Sequence, residues 1–148
     1  MGKMKEGKRF EEDIKRSAGD LFYLRFKDAG GWAKSQGLRF TSKNLCDCII
    51  FTGYKMYLVE NKSHLGKSFP RTELGQLEGL LEISYLNVVP CFFLNFRDLA
   101  ETYLLTAEQV DDSMRDRESV SLAYCQEHGI LIPQKLKRVR YAYDLSVL

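Results

Sequence analysis

The spacing of hydrophobic residues divides the first half of the chain into a helix and a hairpin. Over residues 8–27, apolar side chains recur at helical spacing, which predicts an amphipathic helix. Residues 45–51 are almost entirely apolar, and a second apolar run, 54–62, follows the turn signal Thr52-Gly53. Two such runs around a short turn predict a β-hairpin.

The second half of the chain alternates between short apolar runs and polar connections. It predicts a helix over 73–84 that Thr72 can cap, strands over 88–96 and 101–106, and short helices over 107–112 and 121–128, the last ended by Gly129. The polar segments 30–44, 63–71 and 113–119 are predicted loops. This order indicates one α/β domain over residues 1–148, with a central mixed β-sheet flanked by helices.

Composition narrows the class of protein without identifying it. The chain has 148 residues, 45% hydrophobic and 28% charged, which is typical of one globular domain. Its net charge is only +2, so it lacks the basic excess of an architectural DNA-binding protein. Basic residues gather at both ends and acidic residues in the middle, which suits a phosphate-backbone ligand. Ordinary solvated surfaces are the simpler explanation of the charge pattern taken alone.

The cysteines and the hydropathy profile indicate a reducing, aqueous compartment. Cys46, Cys48, Cys91 and Cys125 lie in apolar surroundings, and no two pairs have zinc-site spacing, so we expect reduced core residues. The N-terminal residues lack the apolar segment of a signal peptide, and no apolar run approaches the ~20 residues of a membrane span. We therefore expect a cytoplasmic protein with no membrane partner.

Three residues around the predicted hairpin have the chemistry of a phosphodiester-hydrolysing site. Asp47 interrupts an apolar strand, where a carboxylate is costly unless a cation or hydrogen bonds compensate it. Glu60 and Lys62 share one face of the next strand because side chains alternate. Two carboxylates on neighbouring strands can hold Mg²⁺ with the Asn61 carbonyl, while Lys62 orients water or stabilises charge. A surface salt bridge between Glu60 and Lys62 is the alternative, and the strand register stays open.

Several segments resemble the PD-(D/E)XK nuclease superfamily, and within it the RecU-like Holliday junction resolvases of bacteria and their phages. The matching segments are Gly7-x-x-Phe10-Glu11-x-x-Ile14, Asp47, Glu60-Asn61-Lys62, Lys67-Ser68-Phe69-Pro70, Gln76, Tyr103-Leu104-Leu105, and Ser119-Val120 followed by Glu127-His128-Gly129. They occur in the family's order over residues 7–132. This chain is shorter than the family before Asp47, and residues 43–46 depart from the family's sequence, which bears on substrate preference more than on chemistry.

The resemblance implies a restriction-endonuclease-like core and a Mg²⁺-dependent endodeoxyribonuclease, with Mn²⁺ as a substitute metal. It implies that Glu11 is an outer carboxylate acting through a metal-bound water and that Gln76 contacts phosphate or water. It also implies a loop around Lys67 and Arg71 that projects into a four-way junction. The residues expected to contact DNA are Lys8, Arg9, Lys15, Lys43, His64, Lys67 and Arg71.

The leading hypothesis is a structure-selective endonuclease that resolves Holliday junctions by paired nicks. A sequence-specific restriction or homing nuclease and a non-catalytic DNA-binding protein on the same fold are the alternatives. Paired nicks favour a homodimer, and the apolar residues Phe22, Phe26, Trp32 and Phe40 and the strand 88–96 exceed what one small core obviously needs. We expect no small-molecule cofactor. The small size favours a phage-encoded protein that acts in a bacterial cytoplasm.

Overall fold

The computed structural model describes residues 5–27 and 44–148. The helices are α1 (Glu6–Ser17), α2 (Leu77–Leu81), α3 (Ala107–Ser113) and α4 (Leu122–His128). The strands are β1 (Phe22–Arg25), β2 (Cys48–Phe51), β3 (Met56–His64), β4 (Ser68–Pro70), β5 (Val88–Phe96), β6 (Glu101–Thr106), β7 (Ser119–Ser121), β8 (Ile130–Leu131), β9 (Gln134–Lys137) and β10 (Arg140–Tyr143).

The central sheet of the described residues has six strands in the order β1-β2-β3-β5-β6-β8. The pair β3–β5 is parallel and the other pairs are antiparallel, so the sheet is mixed. The predicted hairpin is confirmed: β2 and β3 pair around a turn in which Gly53 has a φ of 90°, a conformation that favours glycine. Two smaller pairs, β4–β7 and β9–β10, flank the sheet.

Both faces of the sheet are covered, as alternation of side chains along its buried central strands requires. On one face, Phe10 and Ile14 of α1 pack against Val59 and Phe93 of the central strands. The opposite face belongs to a second core cluster, whose members include Leu58 and Phe92 of the sheet, Leu80 of α2, Val110 of α3 and Cys125 of α4. The predicted class, a mixed α/β domain with a central sheet between helices, is confirmed.

The first predicted helix, 8–27, is too long. Helix α1 ends at Ser17, Gly19 follows with a φ of 55°, and the chain then forms strand β1. Leu21 and Phe22 continue the helical spacing only by coincidence. The predicted strand 45–51 is also shorter, because β2 begins at Cys48 and Asp47 immediately precedes it.

The predicted helix 73–84 is reduced to a 3₁₀ turn, Arg71–Glu73, and the short helix α2. Leu74 has a non-helical φ of −110° and ψ of 43°, and two nearby glycines lower helix propensity. The predicted loop 63–71 is also wrong in part, because β3 continues to His64 and β4 occupies three of its residues.

Elements with long apolar runs were predicted well. Strands 88–96 and 101–106 are confirmed, and the short helices 107–112 and 121–128 correspond to α3 and α4. Strand β5 lies in the middle of the sheet with Cys91 to Phe96 buried, so it is core and does not supply surplus apolar surface.

The basic C-terminal segment forms strands that were not predicted from its sequence. Strand β8 extends the central sheet, and β9 and β10 form a hairpin with Arg138 at a φ of 54° in its turn. Tyr143 at the end of β10 contacts Phe10 of α1, with ring centroids 5.4 Å apart, so the hairpin is packed against the first helix.

The cysteines lie in the core, and the helices are short. All four cysteines are buried, which confirms their predicted place in the core, and none of them is in a disulfide with another described residue. Within residues 5–27 and 44–148, no helix has the length and apolar content needed to cross a membrane.

Candidate active site

Asp47 is fixed in position immediately before the first residue of β2. Its N–H donates to the Val59 carbonyl at 2.9 Å, and its own carbonyl accepts from the Phe26 N–H at 2.9 Å. Its carboxylate accepts the backbone N–H of Asn61 at 2.8 Å, in a position where a regular strand would offer a backbone carbonyl. These bonds hold the carboxylate between β1 and β3, next to the residue that precedes Asn61.

That preceding residue, Glu60, is a buried carboxylate in contact with Asp47. Only 2% of its surface is exposed, and its Oε2 atom has no hydrogen-bond partner among the described residues. Burial raises the pKa of Glu60 to about 9, with further contributions from a hydrogen bond to Asp47 and from that residue's charge. The register Cys48↔Val59 places Asp47 opposite Glu60, which settles the alignment that the sequence left open.

Lys62 lies on the same sheet face as Glu60 and is half-buried. Its positive charge acts to lower the pKa of both Glu60 and Glu11, so its ammonium group lies within electrostatic reach of both carboxylates. Although both residues are described, Glu60 and Lys62 form no direct ion pair. The burial of Glu60 and the missing pair argue against the surface salt bridge.

Glu11 of α1 reaches the same group of charges. Burial raises its pKa, the charge of Asp47 raises it further, and Arg25, Lys8 and Lys62 oppose the increase. Its Oε2 atom lies 3.4 Å from the guanidinium of Arg25 in β1, which orients the carboxylate. The structure therefore brings Glu11, Asp47, Glu60 and Lys62 together.

The carboxylates fit a divalent cation that keeps most of its water ligands. In the described part of the chain, no set of three or more His, Cys, Asp and Glu side chains is arranged to hold a metal. The protein ligands would therefore be Asp47 and Glu60, whose unpartnered Oε2 atom and raised pKa both indicate a missing positive charge. Mg²⁺ commonly binds through one or two carboxylates. The Asn61 carbonyl faces the same side of β3 as its N–H, towards Asp47.

Gln76 is not brought into contact with this group. It immediately precedes α2 and is half-buried, and its backbone carbonyl accepts from the Leu80 N–H at 3.1 Å. Its side chain makes no hydrogen bond to any described residue. Its expected contact with phosphate or water stays a prediction.

The basic residues predicted to bind DNA differ in how free their side chains are. Lys8, Lys15 and Lys67 are exposed. Arg9 donates to the carbonyl of Val139 at the tip of the C-terminal hairpin. Lys43 lies outside the described residues, as do Trp32, Phe40 and most of the predicted loop 30–44.

Two further members of that set are also engaged within the protein. His64 lies 3.2 Å from a carboxylate oxygen of Glu73 and packs beside Phe69. The Arg71 guanidinium donates to the carbonyl of Met114 at 2.7 Å and lies 3.4 Å from Glu118. Arg71 therefore fastens the segment after α3 rather than presenting an unoccupied cation.

The segment from Lys67 to Arg71 is not a projecting loop. Its central residues form β4, which pairs with β7, and Phe69 is completely buried against Phe96. Deleting this segment would therefore damage the core.

Two residues beside the carboxylates were not among the predicted site residues. Arg25 holds Glu11, and it became visible only once β1 replaced the end of the predicted helix. Cys46 is buried near Glu60 and Asp47, and burial, with the charge of Glu60 next, raises the pKa of its thiol to about 12. Cys46 thus remains a neutral thiol and forms part of the apolar wall of the site.

The fold corresponds to a known architecture. The structure is similar to that of Hjc from Archaeoglobus fulgidus, a Holliday junction resolvase from an archaeal hyperthermophile, with a TM-score of 0.61 and 16% sequence identity. The match covers 84% of this chain and 95% of Hjc. The chain therefore has a restriction-endonuclease-like fold.

A sequence relative identifies the family. The SPbeta prophage-derived uncharacterized protein YotM of Bacillus subtilis (strain 168) is 31% identical over an alignment of 170 residues, which covers 100% of this chain and 87% of YotM. The chain belongs to the same family as YotM. No model of a known protein family matches the sequence.

Proposed function

We propose that this protein is a metal-dependent, structure-selective DNA endonuclease that resolves Holliday junctions by paired phosphodiester cleavage. The observation that carries the proposal is the buried contact between Asp47 and Glu60, with an unpartnered oxygen, beside Lys62 on a restriction-endonuclease-like fold. The fold similarity to Hjc supports the substrate class, and the motifs from Glu11 to Gly129 support a RecU-like relationship.

The proposed cofactor is Mg²⁺, with Mn²⁺ as a substitute. Asp47, Glu60 and the Asn61 carbonyl would hold it, and Glu11 would act through an intervening water. When bound, the metal supplies charge neutralisation at the scissile phosphate and lowers the pKa of water. This set of oxygen ligands is the kind that Mg²⁺ prefers.

The remaining steps belong to the chain's own residues. Lys62 places a positive charge where negative charge develops on the phosphate, and a preorganised charge of this kind stabilises the transition state. Arg25 fixes the Glu11 carboxylate so that it accepts a hydrogen bond from water at the site. The hydrogen bond from Asn61 to Asp47 keeps that carboxylate aligned before DNA binds.

The proposed enzyme is a phage-encoded homodimer. A four-way junction requires two nicks, so a homodimer with two centres would match it. The prophage origin of YotM supports a phage-encoded enzyme that acts in a bacterial cytoplasm. The exposed Lys8, Lys15 and Lys67 would contribute backbone contacts, which position DNA without reading its sequence.

The decisive experiment compares a four-way junction with a linear duplex of the same sequence, in Mg²⁺ and with Asp47→Asn as the matched inactive control. We expect nicks in opposite strands of the junction only, and binding without cleavage by the variant. Cleavage of the linear duplex at one sequence would indicate a restriction-type enzyme. Binding without cleavage by the wild type would indicate a non-catalytic DNA-binding protein.

A further inference from the structure

A second polar cavity lies on the sheet face opposite Glu60 and Lys62. It encloses about 190 Å³ between α1, the β9–β10 hairpin and the C-terminal ends of β3 and β5. Its lining includes Arg9, Ser63, Asn95, Arg97, Gln134 and Tyr141. Neither Asp47 nor Glu60 lines it, so this cavity is distinct from the carboxylate site.

The floor of the cavity is a chain of hydrogen bonds with a defined direction. Ser63 donates to the Asn95 carbonyl oxygen at 2.7 Å, and the Asn95 amide donates to the Thr102 hydroxyl at 2.8 Å. Thr102 then donates to the Gln134 carbonyl oxygen at 2.6 Å. The side-chain carbonyl oxygen of Gln134 is occupied by this bond. Its NH₂ group, a hydrogen-bond donor, is therefore left to bind a ligand.

Arg97 gives the cavity its charge. It directly follows β5, and its Nε atom is buried without a hydrogen-bond partner. Of the two carboxylates that line the cavity, Asp13 already lies 3.3 Å from Arg140, and Glu6 is exposed at the rim. Glu6 is therefore the only carboxylate among the described lining residues that is left to balance the positive charges of Arg9 and Arg97. The Arg97 Nε atom is a buried donor without an acceptor, and a bound anion would offset the cost of its burial.

We propose that this cavity binds a phosphate group and that the phosphate belongs to the DNA backbone where the strand passes the C-terminal ends of β3 and β5. The proposal rests on the proposed function. In the register, Lys62 pairs with Leu94, and Arg97 lies three residues further along. Arg97 lies just beyond the end of β5, on the sheet face opposite Lys62, so one DNA strand would reach both by passing around the C-terminal ends of β3 and β5. Arg97 is thus a binding residue that positions the strand.

The test is Arg97→Gln, which removes the charge but keeps donor groups and most of the side chain. Binding to a fluorescent four-way junction, measured without Mg²⁺ to prevent cleavage, should weaken about tenfold, the size of one lost charge-assisted contact. The slope of log affinity against log salt should fall by about one. Arg115→Gln is the control, because Arg115 is exposed on a different surface and pairs with Asp112. It should bind like the wild type.

A second measurement, with inorganic phosphate, distinguishes DNA from a free ligand as the source of the bound phosphate group. Phosphate should raise the Tm of the wild type and of Arg115→Gln but not of Arg97→Gln, because only a protein with the site gains stability from the ligand. If Arg97→Gln loses this response yet binds DNA normally, the DNA assignment is overturned. Normal DNA binding with no phosphate response in the wild type overturns the site itself and leaves the nuclease proposal intact. Failure of the wild type to bind junctions overturns both.

Discussion

Two carboxylates in contact, one of them buried, cannot both carry a full negative charge unless a cation lies close to them. In this protein the pair formed by Asp47 and Glu60 retains a proton at neutral pH, because burial and the contact raise the pKa of Glu60 to about 9. Lys62 opposes this increase without cancelling it. A divalent cation would take the place of the proton, so proton release reports metal binding directly.

We therefore expect Mg²⁺ binding at pH 7 to release close to one proton. Titration calorimetry in two buffers of different ionisation enthalpy measures this number without any DNA. Glu60→Gln should lose the proton release and most of the metal affinity. Metal binding by the wild type with no proton exchange would show that the ion binds somewhere other than between Asp47 and Glu60.

The same raised pKa predicts how stability depends on pH in metal-free protein. A carboxyl group whose pKa is higher in the folded state binds its proton more tightly there, so its contribution is fully present below the unfolded value of 4.5. Stability should then decline as pH rises from 4.5 towards about 9. Denaturant titrations across this range should show a shallower decline for Glu60→Gln. An equal decline in both proteins would contradict the assignment.

Lys62 should matter for the chemical step and little for folding. Replacing it with alanine should reduce turnover by ~10²-fold or more, because one charge at the transition state is lost. Lys55, exposed just before the other end of β3, provides the matched control, and Lys55→Ala should leave turnover unchanged. Single-turnover cleavage of a junction measures both. Normal turnover in Lys62→Ala would remove this residue from the site.

At the scale of secondary structure, the elements that sequence could predict are those with a long and uniform pattern. Strand β5 is nine residues of nearly continuous apolar sequence, and its bounds were predicted correctly. The first helix was extended too far because a helix and an edge strand share apolar residues around Leu21, and only Gly19 marks the boundary. The local sequence pattern does not distinguish the end of a helix from an edge strand, because pairing with a neighbouring strand decides between them.

The candidate site was predictable in its residue types but not in its geometry. The placement of Asp47 opposite Glu60 depends on the register of the hairpin, which two apolar strands leave open. The C-terminal hairpin escaped prediction because its charged residues are exposed on a two-stranded ribbon, where alternation is weak. Arg97 could not be recognised either, since its role depends on a cavity formed by three distant segments.

Gly129 illustrates how one residue fixes the position of an element. Its φ is −81°, which any residue adopts, so the need for glycine is steric. A Cβ atom there would lie 2.7 Å from the Cys125 carbonyl oxygen and 2.8 Å from a Leu105 methyl carbon. Gly129→Ala should therefore destabilise the protein by roughly 1–3 kcal/mol, the usual cost of overpacking.

Gly7 in α1 is the control for that substitution, because nothing lies within 4 Å of a Cβ atom built there. Gly7→Ala should stabilise the protein by about 0.5–1 kcal/mol, since alanine loses less entropy in a helix. Urea denaturation measures both variants. If Gly129→Ala is as stable as the wild type, α4 can move away from β6, and the close packing is not required.

At the scale of the whole molecule, one chain with one group of carboxylates makes one nick at a time, whereas resolution needs two. The two nicks are symmetrically placed in a four-way junction, and an isologous dimer supplies two centres with the same symmetry. Apolar residues are exposed at both edges of the described sheet: Phe22 and Leu24 on β1 at 57% and 46%, and Ile130 and Leu131 on β8 at 49% and 50%. Each edge strand of this sheet also has one side that pairs with no other described strand.

We therefore predict a homodimer of about twice the chain mass of 17.1 kDa, both free and on a junction. Sedimentation equilibrium at micromolar concentration measures the mass. Leu24→Glu and Leu131→Glu place one charge at each edge, and the variant that dissociates the dimer identifies the interface. That variant should still bind Mg²⁺, because neither residue touches the carboxylates, but it should leave nicked junctions unresolved. A wild-type monomer under both conditions would contradict paired cleavage by a dimer and favour a nicking or restriction-type activity.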